Sequence, residues 1–285
     1  VTLVMHDDSY IPAALVLALS CRKLKCPHDL VIMITQKISF LCQKALESIY
    51  DVVIVVEEIE VNTVRAKNNP SRKYLDYVFT KLHLFNLIQY KKIIFMDADI
   101  MVLSADFWSL FTITTPGGCF MGEKNDFFIL GDKGSYLVDL DTPWNWYTRT
   151  PAKHGEKFPN DFEFIRDIQK DCGIGAGLLV FEPSRETFRS LMKYIRENQE
   201  EIAHYPWPEQ GVLTRFFHGQ WHSIDPLFFG LQGFPDAKYL YATQMAGTKP
   251  FVCASNKYNM SLHVTYSVFV IFQTSRVQAY HAGNG

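Results

Sequence analysis

The chain has 285 residues, 48% of them hydrophobic and 14% aromatic, with a formal net charge of -2. A chain of this size buries roughly 75% of its unfolded surface, so one large core is within reach. The near-neutral balance supplies no field for nucleic acid or an anionic membrane, and no apolar run approaches the ~20 residues of a membrane span.

Residues 1–5 predict a first strand. No charged segment followed by an apolar one precedes them, so a secretory leader is not expected and a cytoplasmic location is. His6-Asp-Asp-Ser-Tyr10 reads as a loop, and residues 11–25 predict an apolar helix with Pro12 in its first turn. A strand over 29–35, a helix over 39–50 with Ser39 as N-cap and an apolar strand over 52–56 follow. This alternation predicts a parallel sheet covered on both faces. Residues 62–73 are polar, contain Asn68-Asn-Pro70 and end in Arg72 and Lys73, which suggests a loop. Leu75, Val78, Phe79 and Leu82 fall at i, i+3, i+4 and i+7 and predict an amphipathic helix over 75–89.

Next comes the stretch with the clearest chemistry. The apolar run Ile93 to Met96 predicts a buried strand, Asp97-Ala98-Asp99 follows it, and a second apolar run extends from Ile100 to Leu103. Carboxylates at the C-terminal end of such a strand sit where open α/β sheets bind ligands. Two of them ~4 Å apart repel by ~4 kcal/mol at an effective dielectric of ~20. A divalent cation turns that repulsion into a binding site, and hard oxygen ligands suit Mg2+ or Mn2+. Asp139-Leu-Asp141 has the same spacing but no strand leads into it, so it reads as surface loop.

Residues 106–111 predict a helical turn and 119–121 a strand. Residues 122–172 are the least regular part, rich in Gly, Pro and Trp, and a long irregular segment is usually functional or mobile. Gly173, Gly175 and Gly177 precede a predicted strand over 178–181. They are not placed between a strand and a helix, so they fail the dinucleotide fingerprint. A tight turn, or a backbone that a ligand approaches closely, accounts for them. Pro183-Ser184 opens a helix to about 200, Pro206-Trp-Pro208 makes a stiff turn, and 209–217 is helical. Short strands and turns close the chain, with a marked loop at Gly247-Thr-Lys-Pro250. The six cysteines (Cys21, Cys26, Cys42, Cys119, Cys172 and Cys253) have no C-x-x-C spacing and read as buried free thiols.

Taken in order, these pieces resemble the glycogenin-like members of glycosyltransferase family 8. The resemblance rests on Val1-Thr-Leu3 with Tyr10 and Ala14-Leu-Val-Leu17, on Thr80-Lys-Leu-His83, and on Phe95-Met-Asp-Ala-Asp99. It continues through Gly177-Leu-Leu-Val-Phe-Glu-Pro183, Glu209-Gln-Gly-Val-Leu213 and Gly247-Thr-Lys-Pro-Phe251. Leu227-Phe-Phe-Gly-Leu-Gln-Gly233 is similar to viral and algal members in particular.

The resemblance implies an α/β, GT-A single-domain fold, a Rossmann-like mixed sheet flanked by helices. Residues 1–103 would form its nucleotide-binding half and 104–285 its acceptor-binding and catalytic half. It implies a retaining hexosyltransferase with a UDP-sugar donor, UDP-glucose first, and Mn2+ or Mg2+ as metal. The implied donor contacts are Leu3, Tyr10, Arg72, Lys81, Asp97, Ala98, Asp99, Gly175, Ala176, Gly247 and Lys249. Gln210, Glu209 and Lys81 are the implied catalytic positions. The acceptor would be a glycan or glycoprotein, a collagen-type glycan or the protein's own hydroxyl included, and a homodimer is compatible.

Three positions depart from the family pattern. Gly175 stands where Asn is usual, Glu209 where Asp is usual, and Gln244 where the third metal ligand is usually His. An amide oxygen ligates a hard cation more weakly than imidazole, so the metal set is Asp97, Asp99 and Gln244, with His281 as a candidate replacement. A sugar-nucleotide-binding protein without turnover is the alternative that Gln244 raises. A sugar-phosphate nucleotidyltransferase is disfavoured, because the loop after the first strand lacks glycine. Trp144, Trp146, Trp207 and Trp221 could stack on an acceptor sugar or pack in the core.

Overall fold

The computed structural model describes residues 1–121, 152–162, 173–231 and 241–244. Strand β2 (Val31–Ile34) is buried at all four positions and lies between β1 (Thr2–Val4) and β3 (Val52–Val55), parallel to both. Four consecutive apolar residues suit a strand covered on both faces. The crossovers are α1 (Ile11–Lys23) and α2 (Phe40–Glu47). Ser39 caps α2 by accepting from Cys42 N at 3.4 Å, and Tyr50 Oη donates to Ala14 O at 2.6 Å, tying the two crossovers together.

Val1 N donates to Ile94 O and Met96 N donates to Val1 O, which sets β1 beside β4 (Ile93–Met96). From β4 the sheet turns antiparallel: β4 pairs with β7 (Gly173–Phe181), and β7 with β6 (Gly117–Met121). Strand β8 (His222–Ser223) then adds parallel to β6. The order across the mixed sheet is therefore β3-β2-β1-β4-β7-β6-β8. A small second sheet joins β5 (Ile100–Val102) to β10 (Ala242–Gln244) and β9 (Gly230–Leu231).

Alternation along the strands divides the core in two. Ile94, Met96, Leu178 and Val180 face α1 and α2, while Ile93, Phe95, Leu179 and Phe181 face the opposite layer. That layer contains α4 (Arg185–Glu197) and α6 (Pro208–Phe216), with the short α5 (Gln199–Ile202) between them. Among the described residues no helix is long and apolar enough to cross a membrane.

Three expectations are corrected. The predicted loop over 62–73 contains a short helix, α3 (Val64–Asn68), followed by 3-10 turns over Pro70–Asp76. Thr63 caps α3, and Asp76 accepts from both Thr63 N (2.8 Å) and Thr63 Oγ1 (2.9 Å), so the polar residues serve as caps. The predicted amphipathic α-helix over 75–89 is wound as 3-10 turns, Val78–Asn86. Leu75, Val78, Phe79 and Leu82 are buried as expected, but so are Thr80, Lys81, Leu84 and Phe85. Protein covers the segment nearly all round, and the narrower 3-10 winding suits that crowding.

The glycine run is part of β7 and not a turn before it. Alternate residues of a strand share a face. On that face a Cβ at Gly175 would stand 2.8 Å from Met121 Cγ, and one at Gly177 would stand 2.7 Å from Phe229 Cζ. Side-chain room, not backbone freedom, is what these two positions supply.

Candidate active site

Strand β4 carries Asp97 to its C-terminal end. Asp97 N donates to Gly177 O at 2.8 Å, and Ile100 N donates to Asp97 O at 3.1 Å, closing a tight turn into β5. Ala98 and Asp99 are both buried in that turn. The antiparallel pairing of β5 with β10 sets Gln244 opposite Ile100. Gln244 Nε2 consequently donates to Asp99 Oδ1 at 3.2 Å and to Asp97 Oδ2 at 3.5 Å. One side-chain atom reaches both carboxylates.

Lys81 approaches from the 3-10 segment and is buried. Its Nζ donates to Ala176 O at 2.9 Å and pairs with Asp97 Oδ1 at 3.1 Å and Glu209 Oε1 at 3.5 Å. It also stands 4.9 Å from the centroid of the Phe95 ring. Glu209 lies in the first turn of α6, where the helix dipole favours a negative charge. Its Oε2 is buried with no hydrogen-bond partner among the described residues.

Burial alone would lower the Lys81 pKa, but Asp97 and Glu209 outweigh it and hold the ammonium charged. Asp97 goes the other way. Desolvation pushes its carboxyl up to about 6, Lys81 opposes this, and Asp99 and Glu209 push it further. The side chain still keeps 32% of its surface open, so the carboxylate can be reached from solvent.

These residues fit a divalent cation. Two carboxylates converge on a single polar atom, the amide that supplies it carries an oxygen as well, and an unpartnered Glu209 oxygen lies on the other side of Lys81. A proton on Asp97 would compete with any cation that this carboxylate held, so divalent affinity should hold level above pH ~7. Below about 6 it should fall, approaching tenfold per pH unit. Calorimetric titration of Mn2+ across pH 5 to 8 checks this, and a flat profile contradicts it.

Gly177 makes room for the same carboxylate, since a Cβ there would stand 3.1 Å from Asp97 Oδ2. Gly177→Ala is expected to destabilise the fold by about 1–3 kcal/mol, because the nearer obstacle is the buried ring of Phe229. Urea unfolding measures it, and an unchanged midpoint contradicts the packing argument.

The other predicted positions are spread around this centre. Leu3 is half-buried in β1, and Tyr10 is exposed at the end of a short 3-10 turn. Arg72 Nη1 donates to Tyr74 Oη at 2.9 Å, and its guanidinium is 5.9 Å from the Trp207 ring centroid. Arg65 lies 5.1 Å from the same ring and donates to Pro206 O at 2.7 Å. Trp207, a candidate for sugar stacking, is thus held by two arginines just before Glu209. Gln210 is half-buried beside it. Trp221 is fully buried and donates to Thr214 O, so it belongs to the core. Gly175 has its open face filled by Met121 and Phe229, and Ala176 supplies the carbonyl that Lys81 uses. Gly247, Lys249, His281, Trp144, Trp146, Asp139 and Asp141 lie outside the described residues.

Sequence reasoning missed a second cluster at the C-terminal ends of β1 to β3. Lys37 pairs with Glu58 at 2.7 Å, and His6 approaches Glu58 at 3.8 Å and meets the Tyr77 ring edge-on at 4.7 Å. His6 has φ of 74°, an uncommon backbone for a residue with a side chain. Its place directly after a strand was the available signal.

The family model described as glycosyl transferase family 8 matches residues 1–239. Human glycogenin-1 is 26% identical over 246 residues, covering 85% of this chain and 55% of that protein. An uncharacterized protein of Acanthamoeba polyphaga mimivirus is 26% identical over 226 residues, covering 79% of this chain and 68% of that one. The chain spans little more than half the length of the mammalian glycogenin-1 sequences it matches. Among solved structures, the galactosyltransferase LgtC with donor and acceptor sugar analogs superposes with a TM-score of 0.54 at 13% identity, over 86% of this chain and 87% of that one. An active-site mutant of LgtC gives 0.55 at 13% identity, over 94% of each chain. At this identity the likeness shows the fold, which is the GT-A glycosyltransferase fold.

Proposed function

The chain belongs to glycosyl transferase family 8, and on that premise we propose that it is a retaining, metal-dependent hexosyltransferase. It moves a hexose, glucose in the first instance, from a UDP-sugar to a hydroxyl on a protein or glycan. The observation that carries this reading is the convergence of Asp97, Asp99, Gln244, Lys81 and Glu209 at the end of β4.

Asp97, Asp99 and the Gln244 amide oxygen would hold Mn2+ or Mg2+, which when bound supplies Lewis-acid neutralisation of the departing diphosphate. Lys81 has its three donor contacts with Asp97, Glu209 and Ala176, so its part is to position the two carboxylates. Glu209 and Gln210 would present oxygen to the sugar carbon as positive charge develops there. The acceptor would attack from the face that the phosphate leaves, with that phosphate as base. Leu3, Tyr10, Arg72, Gly175 and Ala176 would line the nucleotide, and Lys249 beside Gly247 would meet the phosphates.

Incubation with UDP-glucose, with and without Mn2+, followed by UDP assay and intact-mass measurement tests this reading. Mn2+-dependent UDP release is expected. A mass gain of one hexose would identify the protein itself as acceptor. No UDP binding and no metal-dependent release would end the proposal. UDP binding without turnover would instead support the binding-protein reading, which Gln244 in place of the usual histidine raises.

A further inference from the structure

Helix α1 ends in a turn that brings two thiols together. Lys25 adopts the left-handed backbone, with φ of 52°. Lys25 N donates to Arg22 O and Cys26 N donates to Cys21 O, both at 3.0 Å. This double closure is the Schellman motif, in which the two residues joined by the outer bond commonly pack their side chains against each other. Here both of those residues are cysteines. Cys21 is fully buried, and Cys26 is half-buried and packed against the core cluster to which Cys21 belongs. Both are free thiols.

The turn is anchored on both sides of Cys21. Arg22 donates through Nη2 to Ile49 O at 2.9 Å and to Asp51 Oδ1 at 2.7 Å. Ser20 Oγ accepts from Val102 N at 3.1 Å. Cys26 Sγ donates weakly to His28 O at 3.5 Å, a contact that rotation of one side chain gives up. Burial raises both thiols, Cys21 to about 12. A stabilised thiolate is what makes a disulfide easy to reduce, and neither sulfur offers one.

We propose that Cys21 and Cys26 are a disulfide-forming pair that staples the end of α1 under oxidising conditions, with the half-buried Cys26 meeting the oxidant and the buried Cys21 resolving it. The oxidant is a low-molecular-weight disulfide. Cys26 gives up its proton and its sulfur attacks one sulfur of the reagent, expelling a thiolate that takes up a proton. Cys21 then gives up its proton and attacks Cys26 Sγ, expelling the second thiolate, which is protonated in turn. Two protein thiols are oxidised and one reagent disulfide is reduced to two thiols. Neither cysteine belongs to the site at the end of β4, so the pair stands or falls apart from the functional reading.

Treatment of the folded full chain with excess glutathione disulfide, acid quenching, alkylation of the remaining thiols and tryptic mass mapping tests the pair. Trypsin cuts after Arg22, Lys23 and Lys25, so only a disulfide keeps Cys21 and Cys26 in one species. That joined species is expected in the wild type and should disappear on reduction with dithiothreitol. Cys21→Ala, which leaves no resolving thiol, is expected to retain one glutathione on Cys26. Cys26→Ala should slow the oxidation of Cys21 by about tenfold or more, because the buried sulfur is then the one that must meet the reagent. The wild-type map decides the matter even if a variant fails to fold. No joined species, a glutathione that persists on Cys26 of the wild type, or a bond from either cysteine to a third would each overturn the assignment.

Discussion

Asp99→Asn is expected to lower the proposed Mn2+-dependent release of UDP by about 10²–10³-fold or more, the range that follows when a principal electrostatic stabiliser of the transition state is lost. The change is nearly isosteric. Asp99 is buried in the turn between β4 and β5, so a neutral amide of the same shape keeps the packing while removing one of two charges. Thermal unfolding should therefore move little, which separates lost chemistry from lost fold. A second readout comes from Asp97, whose carboxyl is pushed up in part by the neighbouring Asp99 charge. In the Asn variant that push is gone, so the pH break in residual Mn2+ binding moves to lower pH. A rate within tenfold of wild type would remove Asp99 from the proposed metal set.

Lys81→Met is expected to cost about 3 kcal/mol of stability, the lower part of the range for breaking a buried ion pair by removing one partner. The lower part applies because Asp97 keeps a partly open rim, whereas Glu209 is more enclosed. Methionine fills much of the lysine volume, so the loss reports charge and hydrogen bonding more than a cavity. Two carboxylates would be left facing each other with one oxygen of Glu209 already unpartnered. Glu209→Gln added to Lys81→Met should restore part of the loss, because it withdraws one of the orphaned charges. Urea unfolding of the two single variants and the double variant closes the cycle. Strict additivity would show that Lys81 does not couple to Glu209, and the tie between the 3-10 segment and α6 would have to be abandoned.

Much of the first half was legible from pattern alone. The strand expected over 29–35 forms as Val31–Ile34 and is buried at all four positions, as an unbroken apolar run in a covered parallel sheet should be. Ser39 reads as an N-cap because its hydroxyl can accept from a first-turn amide, and it does so. The failures have one physical source. The apolar spacing of Leu75, Val78, Phe79 and Leu82 identifies one buried face, but it is silent on the layer that covers Lys81 and Leu84 as well. The glycines at 175 and 177 look like turn residues in isolation, yet their reason is Met121 beside Gly175 and the ring of Phe229 beside Gly177, each more than fifty residues away along the chain.

The same division applies to the site. The sequence by itself determined that Asp97 and Asp99 stand at the end of a buried strand, because hydrophobic periodicity is a local property and stops at Asp97. Glu209 and Gln244 were singled out by the resemblance to family 8, as positions that depart from its pattern. Only the tertiary structure decided that Lys81 binds Asp97, Glu209 and the Ala176 carbonyl together, and that the Gln244 amide faces both aspartates. Those contacts depend on the pairing of β5 with β10 and on where α6 packs against β7. Register and packing are set by the summed burial of distant segments, so no local stretch of sequence encodes them.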